Sequence, residues 1–334
     1  MATMAQIARK AGVSLGVVSR IISNDKTLRV GNNTRKRVEM IIKEMNYSPN
    51  VMAQSLASSQ AGTIAVVLHD IANPVYGEIL RGAQIEAARQ NKAIILGDAS
   101  ADASSNTKLA QMIGGGGVDG LILQAAGEIS DEVIAGAVRQ EVPIILLQAD
   151  MEINAHNIQL PDKEAAIIAT RHLVDLGHKR IGCLATGEGL SFTQRRHSGW
   201  CEVMGEDANE ELVVFAAPNS AGGERGMLEL LEKRPDITGL VCFNVVAAVG
   251  ALRVAKANGF DIPKDLSIIA IHDVKFAQDL WIPLSVVSMP LWEIGEAAVR
   301  TVCAPPPEAK TSFQLDLPPK LIIRKSTSAL RSVA

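Results

Sequence analysis

Aromatic side chains are scarce in this chain: three Trp, two Tyr and six Phe in 334 residues. A core of ordinary size must then be built from Ala, Val, Ile and Leu, and an apolar share of 47% is ample for that. Cysteine is also rare. Cys183, Cys201, Cys242 and Cys303 form no C-x-x-C pair, which argues against a disulfide framework or a cysteine zinc site and for buried thiols in a reducing compartment. No N-terminal run has the basic start and apolar stretch of a signal peptide, and no segment reaches transmembrane length, so the expectation is a cytoplasmic protein with no membrane partner. His69, His156, His172, His178, His197 and His272 show no ligand spacing. Neither H-E-x-x-H, a Walker loop nor G-x-S-x-G occurs, so no metal, cofactor or catalysis is indicated. Gly115-Gly116-Gly117-Val118-Asp119-Gly120 does satisfy G-x-G-x-x-G. It follows a helix and precedes a strand, the reverse of a dinucleotide fingerprint.

What the chain does have is an uneven charge. Residues 1–60 hold nine basic residues against three acidic, a surplus of +6, while the remainder carries 24 basic against 33 acidic, or −9. The net −3 thus hides a basic head on an acidic body, and a polyanion partner is implied for the head alone. At this length two or more domains are expected.

The head reads as three short helices. Thr3-Met4-Ala5-Gln6 fits a capping box, and Ile7, Ala8 and Ala11 then share a face. Gly12 ends that helix and Ser14 caps the next, whose inward face is Val17, Val18, Ile21 and Ile22. Only Gly12 and Val13 separate the two, the tight turn of a helix-turn-helix. A third helix is predicted over 34–45, with Val38, Ile41, Ile42 and Met45 facing in and Arg35, Lys36, Arg37 and Lys43 facing out. The second helix of such a motif enters the major groove. Its exposed positions are Leu15, Gly16, Ser19 and Arg20; Arg20 suits a bidentate contact to guanine, and Leu15 only an apolar one.

Ile7-Ala8-Arg9-Lys10-Ala11-Gly12-Val13-Ser14, Val17-Val18-Ser19-Arg20, Thr34-Arg35, Arg37-Val38 and Asn46-Tyr47-Ser48-Pro49-Asn50 resemble the lactose-repressor (LacI/GalR) family of bacterial transcription regulators. The match extends over essentially the whole chain. Gln6 stands where the family usually has Asp, Gly31-Asn32 where it has Ser-Pro, and Gly16 weakens the recognition helix by up to about 1 kcal/mol relative to Ala. The resemblance implies a hinge segment at 47–60 that folds on DNA, with Leu56 wedged into the minor groove beside Ala53. The residues placed at the DNA are then Thr3, Ser14, Leu15, Gly16, Ser19, Arg20, Asn24, Arg29, Tyr47, Asn50, Ala53 and Leu56.

From residue 63 onward, β-branched runs at 63–68, 93–96, 120–123, 143–147, 180–185, 212–215, 239–243 and 267–271 alternate with helical stretches that include 75–90, 130–140, 163–176, 193–206 and 245–258. Continuous apolar strands between helices predict doubly wound parallel sheets. The units divide near Pro161 into two similar sets, which resembles the two-lobed periplasmic-binding-protein fold. The expected organisation is a helix-turn-helix domain (1–46), a linker (47–60) and an effector-binding and dimerisation domain (61–334). Its lobe 1 covers about 61–160 and 291–318, and lobe 2 about 161–289 and 319–330. The crossings between lobes fall near Pro161, Pro290 and Pro318.

Ligands of such sheets bind past the carboxyl ends of the strands. His69, Asp70, Asn73 and Tyr76 follow the first strand and match the family's D-x-x-N-P-F/Y signature, although Asp70 and Asn73 serve equally well as helix caps. Gln124 and Gln148 follow later strands. In Gln194-Arg195-Arg196-His197-Ser198-Gly199-Trp200, close to Phe192, Arg196 takes the place of the family's ligand-gripping arginine. Asn244 matches the family's Asn-Asp, with Val245 replacing the Asp. Ile271-His272-Asp273 replaces aromatic-Asp-Asp, and Gln148 stands where sugar-binding members often carry Asp. Fewer carboxylates and a retained arginine point to a small anionic effector such as a sugar acid. The alternative is a neutral sugar held by Asp70, Asn73, Asn244 and Asp273. The family mechanism implies a homodimer on a near-palindromic operator, by default a repressor. No heptad repeat follows Lys325, which favours a dimer over a tetramer. A soluble sugar-binding protein explains the body but not the basic head, and an α/β enzyme lacks a nucleophile, metal or cofactor constellation.

Overall fold

The computed structural model describes residues 2–23, 25, 27–47, 60–100, 103–124, 131–148, 153, 155–304 and 311–330. It divides into two units, the first ending at Ala61 and the second starting at Gly62. In the first unit, helix α1 (Met4–Ala11) begins at the reciprocal capping box of Thr3 and Gln6 and ends at Gly12, which takes the left-handed conformation at φ 64°. The left-handed turn costs glycine little and frees the chain to start α2 (Leu15–Ile22) at once, capped by Ser14. Helix α3 (Asn32–Glu44) starts two residues earlier than its periodicity suggests, and its N-cap is Gly31, which has no side chain to cap with. Ile7, Ala8, Ala11, Val18, Ile21, Val38 and Ile41 form the buried core of the three helices. Lys10 ties α1 to Glu44 of α3 at 2.8 Å.

The second unit contains two six-stranded sheets of the same order. The first runs β11-β5-β4-β3-β1-β2 and the second β12-β10-β9-β8-β6-β7. Sheet one comprises β1 (Thr63–Leu68), β2 (Ala93–Asp98), β3 (Gly120–Gln124), β4 (Ile144–Leu147), β5 (His156–Gln159) and β11 (Ser312–Gln314). Sheet two comprises β6 (Ile181–Thr186), β7 (Val213–Ala216), β8 (Gly239–Cys242), β9 (Ser267–Ile271), β10 (Ser285–Ser288) and β12 (Lys320–Ile322). Every pairing is parallel except β10 with β12. Helices cover both faces, which is why central strands read as continuous apolar runs. On β1, Ile64, Val66 and Leu68 face one buried cluster and Ala65 and Val67 the other.

Helices α4 (Val75–Arg89) and α11 (Leu291–Cys303) pack together on sheet one, with α5 (Ala103–Gly114) and α6 (Asp131–Arg139) as a second packed pair. On sheet two, α7 (Asp162–Asp175) pairs with α8 (Ser191–Met204), and α9 (Ser220–Lys233) with α10 (Val245–Ala257). The chain passes between sheets after β5, after β10 and between β11 and β12. Glycine makes the close helix pairs possible. A Cβ on Gly250 would overlap the carbonyl oxygen of Ser220, and one on Gly223 that of Ala247. Gly250→Ala is therefore expected to force α9 and α10 apart and destabilise the lobe by about 1–3 kcal/mol. An unchanged calorimetric midpoint would refute that packing.

The C-terminal segment crosses sheet two on a polar strap. Ser326 Oγ donates to the Ile268 carbonyl at 2.6 Å, and His172 Nε2 lies 3.0 Å from Thr327 Oγ1. His178 Nε2 donates to the Ser328 carbonyl at 3.0 Å, so its other ring nitrogen accepts from Thr238 Oγ1 at 3.1 Å. Burial lowers the pKa of both histidines below the ordinary 6.5. The folded protein keeps them neutral, whereas the unfolded chain takes up protons below about pH 6.5. Their stabilising contribution is thus complete above that pH and is lost as pH falls toward the lowered folded values. Thermal unfolding midpoints are expected to fall between about pH 7 and about pH 5, and less so in a His172→Gln/His178→Gln variant. Among the described residues, no helix is long and apolar enough to cross a membrane.

Candidate functional site: a cleft between the two lobes

Among the described residues, cavities open between the lobes. The larger, about 670 Å³, is lined by the crossing segments and by Glu78, Lys275, Trp292 and the Asp273–Arg324 ion pair. The smaller, about 280 Å³, opens at the carboxyl ends of both sheets, where doubly wound folds bind ligands. Its lining takes His69 after β1, Gln124 at the end of β3, Gln148 after β4, Thr186 at the end of β6, Asn244 after β8 and His272 after β9. Tyr76 and Ile79 of α4, Phe192 and Arg196 of α8, and Leu291 and Ile294 of α11 complete the wall. We take the smaller cavity as the candidate site, because strand ends from both lobes converge on it.

Arg196 is the centre of this site and is only 2% exposed. Its Nε donates to Asp162 Oδ1 at 2.9 Å, Nη1 to the Phe243 carbonyl at 2.6 Å and Nη2 to His272 Nε2 at 3.0 Å. Nη2 also lies 2.8 Å from Asp162 Oδ1, and the Phe192 ring sits 5.2 Å from the guanidinium carbon. Asp162 is fully buried, and its second oxygen accepts from Arg195 at 2.9 Å. Burial pushes the Asp162 carboxyl above its ordinary value, against the pull of the two guanidinium groups. Asp162 is a site residue that sequence reasoning missed. The signal was available: an acid directly after Pro161, where the chain enters the second lobe and a helix begins.

His272 is 5% exposed and holds a left-handed φ of 75°. Gln148 does the same at 56°. Such backbone costs of order 1–3 kcal/mol for a non-glycine residue and clusters at functional sites. Burial first, and the Arg196 charge second, push the His272 pKa far down, so the ring is neutral. Arginine can only donate, so Nε2 is the acceptor and the proton resides on Nδ1. Nδ1 has no hydrogen-bond partner.

The amides line up in one direction. Gln124 Oε1 accepts from the His69 backbone N–H at 3.3 Å, Gln148 Oε1 from Leu160 N–H at 3.2 Å and Asn244 Oδ1 from Val246 N–H at 2.8 Å. A backbone N–H only donates, so each amide oxygen is oriented inward to the protein and each NH₂ is left to other partners. Burial raises the Tyr76 phenol to about 12, against a hydrogen bond with Gln124, so it stays protonated. Glu188, on the Gly187–Gly189 loop, is an exposed carboxylate on the cavity wall.

Three of the expected effector residues lie elsewhere. Asp273 makes a two-point ion pair with Arg324, at 3.0 and 2.9 Å, and lines the larger cavity. Asp70 Oδ1 accepts from Ala72 N–H at 2.8 Å, and Asn73 Oδ1 from Val75 N–H at 3.1 Å. Asp70 thus closes a turn ahead of α4, and Asn73 accepts from the first N–H of the helix, because short acceptor side chains satisfy nearby unpaired backbone N–H groups. Neither lines the candidate cavity.

In the head, Thr3 and Ser14 spend their hydroxyls as caps, on Gln6 N–H at 3.3 Å and Val17 N–H at 3.4 Å. Leu15, Gly16, Ser19, Arg20 and Arg29 are exposed, and Tyr47 packs against the helical core. Arg20 is not free. Its Nε donates to Asp25 at 2.7 Å and its Nη2 to Thr27 at 2.8 Å. Hydrogen bonds, from Arg20 above all, hold the Asp25 carboxyl down at about 2. Asn24, Asn50, Ala53 and Leu56 lie outside the described residues, as does most of the linker.

Comparison with known proteins agrees with both units. Residues 3–50 match the bacterial regulatory proteins of the lacI family, and residues 170–327 a periplasmic binding protein-like domain. The transcriptional regulator DegA of Bacillus subtilis (strain 168) is 30% identical over 337 residues, covering 99% of each chain. The regulator GalR of Escherichia coli (strain K12) is 29% identical over 98% of this chain and 96% of its own. The crystal structure of the lac repressor dimer bound to operator and the anti-inducer ONPF superposes with a TM-score of 0.80 at 22% identity, over 98% of this chain and 99% of that one. The chain belongs to the lacI family of bacterial regulatory proteins, as a regulator of transcription and not an enzyme.

Proposed function

We propose that the protein is a homodimeric repressor that reads a near-palindromic operator with the exposed face of α2 and releases or tightens it in response to a sugar-sized effector. The +6 charge of residues 1–60 supports DNA as the partner of the head, because phosphate neutralisation supplies the sequence-independent part of affinity. The acidic body keeps the lobes off the phosphate backbone. Among relatives, GalR and CytR are named as regulator and repressor, and the operator-bound lac repressor is a dimer.

The effector reading is carried by one observation: the 280 Å³ cavity draws its wall from strand ends of both lobes, which three chain crossings join. A ligand there touches both lobes at once and so favours one interlobe angle. It acts on DNA affinity only through its different affinity for the two angles. Leu15, Gly16, Ser19 and Arg20 face the bases, and Leu56 with Ala53 acts at the operator centre. His69, Tyr76, Gln124, Gln148, Phe192, Arg196, Asn244 and His272 hold the effector.

The experiment is operator binding on full-length protein, with duplexes selected from a randomised pool, across a range of salt and with candidate effectors present. A steep salt slope and an effector-dependent shift in affinity are expected. Binding with no salt dependence would sink the DNA reading, and affinity indifferent to every ligand that binds the cavity would sink the allosteric one.

A further inference from the structure

We infer that the larger cavity is a second ligand site, separate from the candidate effector cleft, and that it takes a small organic phosphate. Lys275, Lys320 and Ser288 hold the phosphate group, and Trp292 supports the organic body. At about 670 Å³ the cavity falls within the size range of small-molecule sites, about 300–1,000 Å³.

The ligand class follows from which groups on the wall are already engaged. Asp273 is spent on Arg324, at 3.0 and 2.9 Å, and Glu78 on Arg81 at 3.3 Å. Glu293 lies in the first turn of α11, where its charge answers the positive end of that helix. The acids of the wall are thus matched. Lys275 and Lys320 are exposed and, among the described residues, neither has an ion-pair partner. The Ser288 hydroxyl and the Gln278 amide are likewise without a hydrogen bond among the described residues. What the wall offers a ligand is therefore mostly donors, two of them cationic. A phosphate presents only acceptors and negative charge, so it satisfies several of these groups at once with charge-assisted bonds.

Sheet two places these donors. Lys320 begins β12 and pairs with Ser288 at the end of β10. Lys275 opens the short helical turn Lys275–Gln278 after β9, the strand that pairs with β10 on its other side. Trp292 comes from lobe 1, on α11, with the Arg81 guanidinium carbon 5.7 Å from its ring centroid. An indole offers a broad apolar face to a sugar ring or a base. Met289, Leu291, Leu317 and Pro318 supply the rest of the apolar wall, and Leu291 lines both cavities. A ligand seated here touches both lobes and two of the crossing segments. It favours one interlobe angle by the same linkage as a ligand in the smaller cavity, a consequence that rests on that reading of the mechanism.

The test is calorimetry on the full-length protein. The probes are glucose 6-phosphate with glucose, adenosine monophosphate with adenosine, inorganic phosphate, and putrescine as a cation. At least one organic phosphate is expected to bind roughly 10-fold or more tightly than its neutral parent and than inorganic phosphate, and the two pairs tell a sugar from a nucleotide. Lys275→Gln combined with Lys320→Gln is expected to weaken that binding by roughly 30-fold or more, and Trp292→Leu by roughly 5-fold. Both lysines are exposed, so the double variant should keep the wild-type unfolding midpoint. Gln148→Ala, in the smaller cavity, should leave phosphate binding unchanged. The inference is overturned if the neutral parents bind as well as the phosphates, if no organic phosphate binds, or if putrescine alone binds. It is also overturned if the double lysine variant binds like the wild type, or if Gln148→Ala weakens binding as much as the lysine pair does, which would seat the phosphate in the other cavity. Operator affinity, measured with and without the bound phosphate, reports on the coupling alone. An unchanged affinity would overturn the coupling, while calorimetry decides the site.

Discussion

Arg196→Ala is expected to remove the effector response and to destabilise the protein by about 3–5 kcal/mol, because it leaves the buried Asp162 carboxylate short of its main partner. The value should fall near the lower end, since Arg195 still reaches the second oxygen at 2.9 Å. From sequence alone, Arg196→Ala looks like a clean deletion of a ligand contact. The structure makes it a stability variant as well. A second substitution separates the two effects: Arg196→Ala combined with Asp162→Asn is expected to recover most of the lost stability and none of the effector response. Chemical denaturation and calorimetry of the two variants decide this. Wild-type stability in the single variant would refute the buried pair. A preserved effector response in the double variant would refute the role of Arg196 in the cleft.

Arg20→Ala is expected to weaken operator binding by about 1–3 kcal/mol, roughly 5- to 150-fold, and to relax specificity at one base pair per half-site. The contact has to be made by a side chain that is already engaged. Asp25 and Thr27 hold Nε and one hydrogen of Nη2, which leaves Nη1 and the other hydrogen of Nη2 and fixes the direction of the fork. Asp25→Asn weakens that hold without removing the guanidinium, so its effect on affinity should be smaller than that of Arg20→Ala. Gel-shift titrations against a panel of single-base operator variants provide the measurement. A loss that is uniform across all sequences would reassign Arg20 to the phosphates or to the turn after α2.

Much of the fold is legible because its strongest elements are local. β1 is a six-residue apolar run, α10 has continuous helical periodicity, and the α1–α2 turn is written in Thr3, Gln6, Gly12 and Ser14. The strands that periodicity does not mark are β5, β10, β11 and β12. They are three or four residues long, and three of them lie at or near the C-terminal end of the fold, pairing with distant segments: Ser312 with Asn157, and Ile322 with Val286. Helix α9 contains three glycines in Ser-Ala-Gly-Gly-Glu-Arg-Gly, which propensity counts against. It forms because Gly223 lets α10 approach, Gly226 lets the helix lie close on Leu184 of sheet two and Gly222 clears the Ala217 backbone, a gain visible only once these parts are in place.

The candidate site divides in the same way. Strand-end positions are a property of the chain, so His69, Gln124, Gln148, Asn244 and His272 could be named in advance, together with Arg196 and Phe192 on α8. The larger assignments, a lacI-family helix-turn-helix followed by two α/β lobes, also follow from the sequence by itself, because they rest on motifs and periods only a few residues long. Which polar groups face the cavity with a bond to spare was decided by the tertiary structure. That depends on partners far apart in sequence: Asp162 and His272 on Arg196, and Arg324 on Asp273. Asp273, Asp70 and Asn73 carry suitable chemistry, but an ion pair or a backbone N–H claims them first. His272 became a neutral donor for the same physical reason. Burial removed its charge, and an arginine that can only donate chose its tautomer.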